Sequence, residues 1–138
     1  CQTQNENACY WVDQVGIVFD EAPIAEGNFI TTIYDISENQ KSLIIGEDIL
    51  PEETFTYTKN ILTEITNLGL TIEKITFNKE LAELHIQLLE NGALLFNLRL
   101  DPTLSALPAL EKLYAERNFT KLDYLDLTVD GRAYYKEQ

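Results

Sequence analysis

Short strand-like segments and two helix-like segments, separated by glycine, constrain the fold of this chain more than any other feature. The six glycines fall between stretches with a clear apolar period. Along the chain the order is three strands, a helix, three strands, a second helix and two strands. This order predicts an α+β fold, with a mainly antiparallel β-sheet and two helices packed on it.

The strand predictions depend on β-branched and aromatic content and on turn dipeptides between paired segments. Alternation of apolar and polar residues over 82–89, followed by Asn91-Gly92, is the strongest hairpin signal. Asp130-Gly131 predicts a second tight turn near the end of the chain. The predicted strands cover 9–13, 16–20, 28–35, 70–78, 82–89, 93–99, 122–129 and 132–136.

Two segments have apolar residues at helical spacing. The first begins at Pro51, which suits the first position of a helix, and ends at Gly69. The second begins with Asp101-Pro102, an N-cap followed by a first-turn proline, and Pro108 is expected to break or restart it. The apolar stripes are Thr58, Ile61, Leu62, Ile65 and Leu68 in the first helix, and Leu104, Leu107, Leu110, Leu113 and Tyr114 in the second.

Composition restricts the class of partner. A chain of 138 residues with 45% apolar side chains fits one globular domain. Its net charge of −13 opposes binding to phosphate backbones and to anionic lipid headgroups. The longest apolar runs are a few residues, far below the roughly 20 needed to cross a bilayer. We therefore expect neither nucleic acid nor a membrane surface as a partner.

Catalytic and metal-binding patterns are not found in the sequence. The single histidine, His85, shares a strand face with Glu83 and Gln87, which favours a solvated polar face over a general base. No spacing fits a zinc site, a calcium loop or a phosphate-binding loop. Asp123 and Asp126 could serve a hydrolase only if they met in a concave pocket with raised pKa values. We therefore predict no enzymatic activity, no cofactor, no metal and no small-molecule substrate.

The two cysteines, Cys1 and Cys9, leave three alternatives open. They flank the turn-prone residues 5–7, so a tight hairpin could bring them within disulfide distance. In a reducing compartment they would instead be free thiols. Because the chain contains no methionine, we expect a segment upstream of it. Cys1 could therefore be a truncation point or a lipidated first residue exposed by signal cleavage.

A motif near the start of the chain is the first sign of a family. Tyr10, Asp13, Gly16 and Phe19 occur in the pattern tyrosine, x, valine, aspartate, two residues, glycine, two residues, phenylalanine, followed by Ala22-Pro23. This pattern resembles the segment that leaves the POTRA domain in FtsQ/DivIB, a family of bacterial cell-division proteins. The resemblance implies that residues 1–12 end a POTRA domain or form a connecting hairpin. Residues 13–138 would then be the family's β domain.

A second motif near the end of the chain resembles the same family. Tyr124, Asp126 and Leu127, with Gly131 after them, resemble the terminal Tyr-Ile/Val-Asp-Leu-Arg motif before a turn. Thr128 stands where the family has arginine, so the contact made by that arginine would be lost here. Between the two motifs, the chain matches the family only in element order and apolar character.

The resemblance implies a function in cell division. Members of this family are scaffolds of the divisome, without known catalysis, and take part in septation during the cell cycle. They bind FtsB/DivIC-like and FtsL-like proteins at the extracytoplasmic face of the cytoplasmic membrane, to which a single upstream span anchors them. By motif position, the family's partner surface falls on Val129, Arg132, Ala133, Tyr134, Tyr135 and Lys136.

The residues themselves allow two readings of this last strand. If it lies at a sheet edge, its unpaired amides and carbonyls can accept an extended partner segment. Period two places Arg132, Tyr134 and Lys136 on one face, which would suit an acidic partner. The other reading is that these charges protect an edge strand from aggregation, while the tyrosines cover the core. A separate hypothesis is a surface lipoprotein anchored through Cys1, with an acidic soluble ligand-binding domain.

Overall fold

A computed structural model describes residues 1–4, 8–24, 30–90 and 92–138. Within these ranges the elements follow the predicted order. The predicted turn at residues 5–7, the start of the third predicted strand at 28–29 and Asn91 of the second hairpin turn lie outside them. The elements are β1 (Cys9–Val12), β2 (Val18–Ala22), β3 (Ile33–Asp35), α1 (Glu52–Asn67), β4 (Ile72–Asn78), β5 (Glu83–Leu88), β6 (Ala93–Asn97), α2 (Ala106–Arg117), β7 (Leu122–Leu127) and β8 (Tyr134–Glu137).

The strands form two sheets. β1 and β2 pair with each other as an antiparallel hairpin, and the other strands form a sheet in the order β3-β4-β5-β6-β7-β8. Two neighbouring pairs, β3 with β4 and β6 with β7, are parallel, and the remaining pairs are antiparallel. The prediction of an α+β fold with a mainly antiparallel sheet is confirmed.

One face of the larger sheet carries the hydrophobic core, and both helices pack on that face. Alternation along each strand directs the apolar residues to this side. Ile61 and Ile65 of α1 and Leu110 of α2 have no exposed surface, which is how they close the core over the strands. The strand residues of the core are Ile75, Phe77, Leu84, Ile86, Leu88, Leu94, Phe96, Leu122, Leu125 and Leu127.

The first helix ends where the sequence indicates. Pro51 is the N-cap residue, one position before the first helical residue, and two glutamates follow it in the first turn. Gly69 then adopts a φ of +80°, a conformation that glycine takes without steric cost and that ends the helix. The N–H of Leu70 donates to the carbonyl of Ile65 at 3.2 Å and turns the chain toward β4.

The second helix departs from its prediction at the start. Asp101 caps a separate turn, where its carboxylate accepts the N–H of Thr103 at 3.0 Å, and the helix begins only at Ala106. Pro108 does not break it. As the third residue of the helix, Pro108 lies where backbone N–H groups have no partner inside the helix, so its missing N–H costs nothing.

The final strand is shifted from its predicted position. Arg132 and Ala133, predicted as strand residues, lie in the connection between β7 and β8. The turn is longer than Asp130-Gly131 because Asp126 ends β7 with an Asx turn. Its carboxylate accepts the backbone N–H of Thr128 at 2.9 Å and the Thr128 hydroxyl at 2.6 Å. Strand pairing resumes where Tyr134 lies opposite Asp126.

Candidate functional site

The candidate site is the outer edge of β8, the last strand of the larger sheet. β8 pairs with β7 on one side, and no described strand pairs with it on the other. Across from Glu137 and Lys136, β7 has an irregularity between Leu122 and Tyr124, which is typical of a β-bulge. An edge of this kind presents backbone N–H and C=O groups that have no strand partner.

The register identifies which backbone groups point outward. The N–H of Gln138 donates to the carbonyl of Lys121 at 2.9 Å, so residue 138 faces β7. Because backbone groups alternate along a strand, Lys136 and Tyr134 also face β7, whereas Tyr135 and Glu137 face away from it. The edge therefore offers the N–H and C=O groups of Tyr135 and Glu137. Glu137 was missing from the predicted surface, since glutamate gives little strand signal in a sequence.

The tyrosines of β8 lie on opposite faces, as period two predicts. Tyr135 points toward the core. Its ring centroid lies 6.2 Å from that of Phe119, and the guanidinium carbon of Arg117 lies 4.8 Å from the Tyr135 centroid. Tyr134 points to the uncovered face of the sheet and is 49% exposed. Tyr135 therefore anchors the strand to the domain, and Tyr134 is open to solvent.

The cations of the predicted surface differ in their surroundings. Lys136 Nζ lies 3.7 Å from a carboxylate oxygen of Asp123 and 5.7 Å from the centroid of the Tyr124 ring. Among the described residues, the Arg132 guanidinium makes no ion pair. Arg132 borders a small concavity of about 160 Å³ beside the start of β8. Its lining is Ser105, Ala106, Ala109, Leu127, Val129, Gly131, Arg132 and Ala133.

Within the terminal motif, Tyr124 is not a core residue. The bulge in β7 places Leu122 and Leu125 in the core and turns Tyr124 to the opposite face, where it is half-buried. Leu127 is buried in the core, and Asp126 forms the Asx turn described above. Gly131 has a φ of +69° in the connection to β8. The terminal motif therefore shapes the turn before the edge strand.

The first motif shapes the turn of the β1–β2 hairpin. A carboxylate oxygen of Asp13 accepts the backbone N–H groups of Val15 at 3.0 Å and Ile17 at 2.9 Å. Gly16 lies against α1, and a Cβ added there would be 3.0 Å from Cγ of Phe55. Tyr10 lies in β1 and is half-buried, whereas Phe19 in β2 is 54% exposed. The two motifs are far apart in the fold and do not form one site.

The opposite edge of the larger sheet is covered. Residues 1–3 lie beside β3, with Gln2 bridged in parallel to Asp35. The backbone nitrogen of Cys1 donates to the carbonyl of Ile33 at 2.7 Å, and the N–H of Asp35 donates back to the carbonyl of Cys1 at 2.7 Å. A disulfide joins Cys1 to Cys9 and so ties this covering segment to β1. No pattern in the sequence predicts that the edge at β3 is covered.

The residues considered for catalysis do not converge. His85 Nε2 lies 3.2 Å from a carboxylate oxygen of Glu83 on the uncovered sheet face. A hydrogen bond to Glu111 raises the pKa of the Glu64 carboxyl, and of these two residues Glu64 is half-buried and Glu111 is exposed. Over the described ranges, no group of three or more histidine, cysteine or acidic residues could hold a metal ion.

Neither a protein-family model nor a curated protein sequence matches this chain. Among the described helices, none has the length and apolar character of a membrane span. The functional conclusion therefore depends on the geometry of the β8 edge and on the sequence resemblance.

Proposed function

We propose that this chain is a non-enzymatic binding domain that recruits an extended partner segment by strand addition at β8. The observation that carries the proposal is the edge position of β8, whose outer side pairs with no described strand. An added strand would bond to the outward N–H and C=O groups of Tyr135 and Glu137. Main-chain bonds supply the affinity in this mode of recognition, and side chains on alternate positions supply the specificity.

The contrast between the two sheet edges supports the choice of β8. A segment of the same chain already occupies the outer side of β3, through the bonds between Cys1 and residues 33–35. β8 is also held firmly, since Tyr135 packs beside Phe119 and beneath Arg117. A strand that is fixed in place loses little conformational freedom when a partner joins it.

Charge supports a partner that is locally acidic. Arg132 and Lys136 lie near the edge of a protein with a net charge of −13. Their cationic groups lower the repulsion that this charge would otherwise exert on an acidic segment. Glu137 opposes this effect in part, but its carboxylate oxygen lies 3.7 Å from the Arg117 guanidinium.

The sequence resemblance gives the proposed partners their identity. As an FtsQ/DivIB-like scaffold, the domain would act in the divisome at the extracytoplasmic face of the bacterial cytoplasmic membrane. Its partners would be FtsB/DivIC-like and FtsL-like proteins. An oxidising compartment fits the disulfide between Cys1 and Cys9, because disulfides persist outside the cytoplasm.

A proline substitution at the edge tests strand addition directly. Glu137→Pro removes an outward N–H and leaves the bonds to β7 in place. We expect binding to the extracytoplasmic segment of the FtsB/DivIC-like protein of the same organism, measured by titration calorimetry, to weaken by about tenfold or more. Glu137→Ala removes the same carboxylate and keeps the N–H, so it should bind at least as tightly as the unmodified domain.

Two further variants complete this test. Lys136→Pro should disrupt pairing with β7 and lower thermal stability, because the N–H of residue 136 faces β7. Tyr134→Ala with Lys136→Glu should abolish binding without loss of the fold. Unchanged affinity in both Glu137→Pro and the double variant, with native circular dichroism, would refute binding at this edge.

The lipoprotein hypothesis requires a different covalent state of the Cys1 sulfur. A lipid anchor forms a thioether with the cysteine sulfur, and a disulfide to Cys9 uses the same atom. The two states of Cys1 therefore exclude each other in one molecule. Intact mass of the native protein distinguishes them, since a lipid adduct on Cys1 would favour the lipoprotein and an unmodified disulfide would favour the divisome scaffold.

A further inference from the structure

A large apolar cleft lies at the other end of the molecule from β8. It opens between the β1–β2 hairpin, the connection from β3 to α1, and the face of α1, and its volume is about 1020 Å³. Its walls include Trp11 of β1 and Phe55 and Leu62 of α1. No residue of β8 lines this cleft.

The cleft leaves apolar side chains in contact with solvent. Three isoleucines of its lining, Ile24, Ile30 and Ile44, are 64%, 45% and 59% exposed. Isolated exposed apolar residues are ordinary on protein surfaces, but three around one concavity form a patch that a ligand could cover. A patch of this kind, around a deep cleft, is typical of a binding site.

The polar groups deep in the cleft are already paired. The hydroxyl of Thr58, which is 2% exposed, donates to the carbonyl of Thr54 at 3.0 Å. The hydroxyl of Ser37, which is 1% exposed, donates to Asp35 and accepts the N–H of Lys79. In the described ranges, no buried side-chain nitrogen or oxygen lacks a hydrogen-bond partner. A ligand in the deep part of the cleft would therefore be held by apolar contact.

Charges around the cleft do not select an ionic ligand. The lining contains lysines and carboxylates in similar number, so neither sign dominates: Lys41, Lys59, Lys79, Asp35, Glu47, Asp48 and Glu80. Lys59 is further engaged, because its Nζ donates to the carbonyl of Gln14 at 2.6 Å and lies 5.4 Å from the Phe55 ring centroid. An uncharged molecule meets no electrostatic penalty here.

We propose that this cleft binds an uncharged, mainly apolar small molecule. Its volume lies at the upper end of ligand pockets, which span about 300 to 1,000 Å³ and are lined mostly by apolar side chains. Such a ligand would cover the isoleucines of the patch and contact the indole of Trp11. This site is separate from β8 and does not depend on strand addition there.

The chain contains its own reporter for this site. Trp11 is the single tryptophan of the sequence and lines the cleft. We expect the neutral fluorophore N-phenyl-1-naphthylamine to quench Trp11 emission in a saturable titration of the folded domain, with energy transfer to the probe. No saturable change in Trp11 emission up to the solubility limit of the probe would overturn the proposal.

Two substitutions locate the binding in the cleft. Ile44→Glu places a carboxylate among the apolar lining and removes one isoleucine contact, and we expect the dissociation constant to rise about tenfold. Thr63→Phe should have a similar effect by filling the space, because Thr63 is an exposed residue of α1 that lines the cleft. Both positions are solvent-exposed, so neither change should disturb the core.

Matched controls separate binding in the cleft from general adsorption. Asn60→Phe adds the same ring to an exposed position of α1 that does not line the cleft. Leu104→Glu changes an apolar residue that is 79% exposed elsewhere on the surface. Both controls should bind the probe with unchanged affinity. Equal affinity in Ile44→Glu, Thr63→Phe and the controls, with native circular dichroism throughout, would refute a site in the cleft.

Discussion

The two edges of the larger sheet differ in whether the chain itself covers them. At β3, Cys1 and Gln2 lie beside the strand, and the Gln40 side-chain amide donates to the carbonyl of Asp35 at 2.6 Å. At β8, the outward groups of Tyr135 and Glu137 meet no described strand. Unpaired edges are prone to unwanted association, so proteins usually cover or protect them. One covered edge and one open edge in the same sheet are the reason for proposing strand addition at β8 and not at β3.

Removal of the disulfide should have the largest effect on this contrast. Cys1→Ser with Cys9→Ser opens a loop between cysteines eight positions apart and should lower the free energy of unfolding by about 2.5 kcal/mol. Amide exchange at Asp35 should accelerate, because its N–H donates to the carbonyl of Cys1. Exchange at Tyr134, whose N–H faces β7, should change only through the global loss of stability.

Denaturant unfolding and hydrogen exchange by mass spectrometry measure these two effects. The unmodified protein under a thiol reductant serves as the control, since it loses the same bond without a substitution. If Asp35 kept its protection in the double variant, the covering segment would be held by its hydrogen bonds alone, and the disulfide would have no part in covering the edge.

A smaller effect distinguishes the two tyrosines on either side of the β7–β8 ribbon. Tyr135→Ala should lower the free energy of unfolding by about 2 kcal/mol, because its ring packs against Phe119 and the core. Tyr124→Ala should cost less than about 1 kcal/mol, since its ring lies half-buried on the uncovered face. Thermal or denaturant unfolding of both variants provides the comparison. A larger loss of stability in Tyr124→Ala than in Tyr135→Ala would contradict this assignment, because the core would then lie on the Tyr124 face of β7.

The smallest effect concerns the pH dependence of stability and the carboxyl group of Glu80. The backbone N–H groups of Glu80 itself, Asn39 and Glu38 hold the pKa of the Glu80 carboxyl below its ordinary value. A lowered pKa in the folded state contributes stability that is complete above the unfolded-state pKa. This contribution is lost as the pH falls through the lower folded-state pKa. Glu80→Gln should therefore flatten the acid limb of the stability curve slightly, measured by denaturant unfolding between about pH 6 and about pH 3.

The acid limb of an Asp130→Asn variant provides the reference for that measurement. Asp130 is an exposed carboxylate in the connection before β8, away from the β3 edge. Because Glu80 is fully exposed, solvent screens its interactions and the difference will be small. An acid limb that Glu80→Gln leaves identical to that of the unmodified protein would show that the Glu80 hydrogen bonds do not persist in solution.

Local signals were sufficient for most of the elements. Alternation in Leu84, Ile86 and Leu88 specified both β5 and its core face, because period two decides which side chains point inward. The position of β8 was predicted two residues early, because the Asx turn at Asp126 lengthens the connection. The face of β7 on which Tyr124 lies could not be predicted, because a bulge, which leaves no clear mark in a sequence, reverses the alternation within β7.

The sequence by itself determined the class of fold, the order of its elements and the apolar faces of its helices, since these depend on spacing along the chain. Only the tertiary structure decided which sheet edge is covered, which backbone groups of β8 point outward, and where a cleft opens beside Trp11. These features join residues that are distant in sequence, such as Cys1 with Ile33 and Trp11 with Leu62. No local pattern encodes the distance between them.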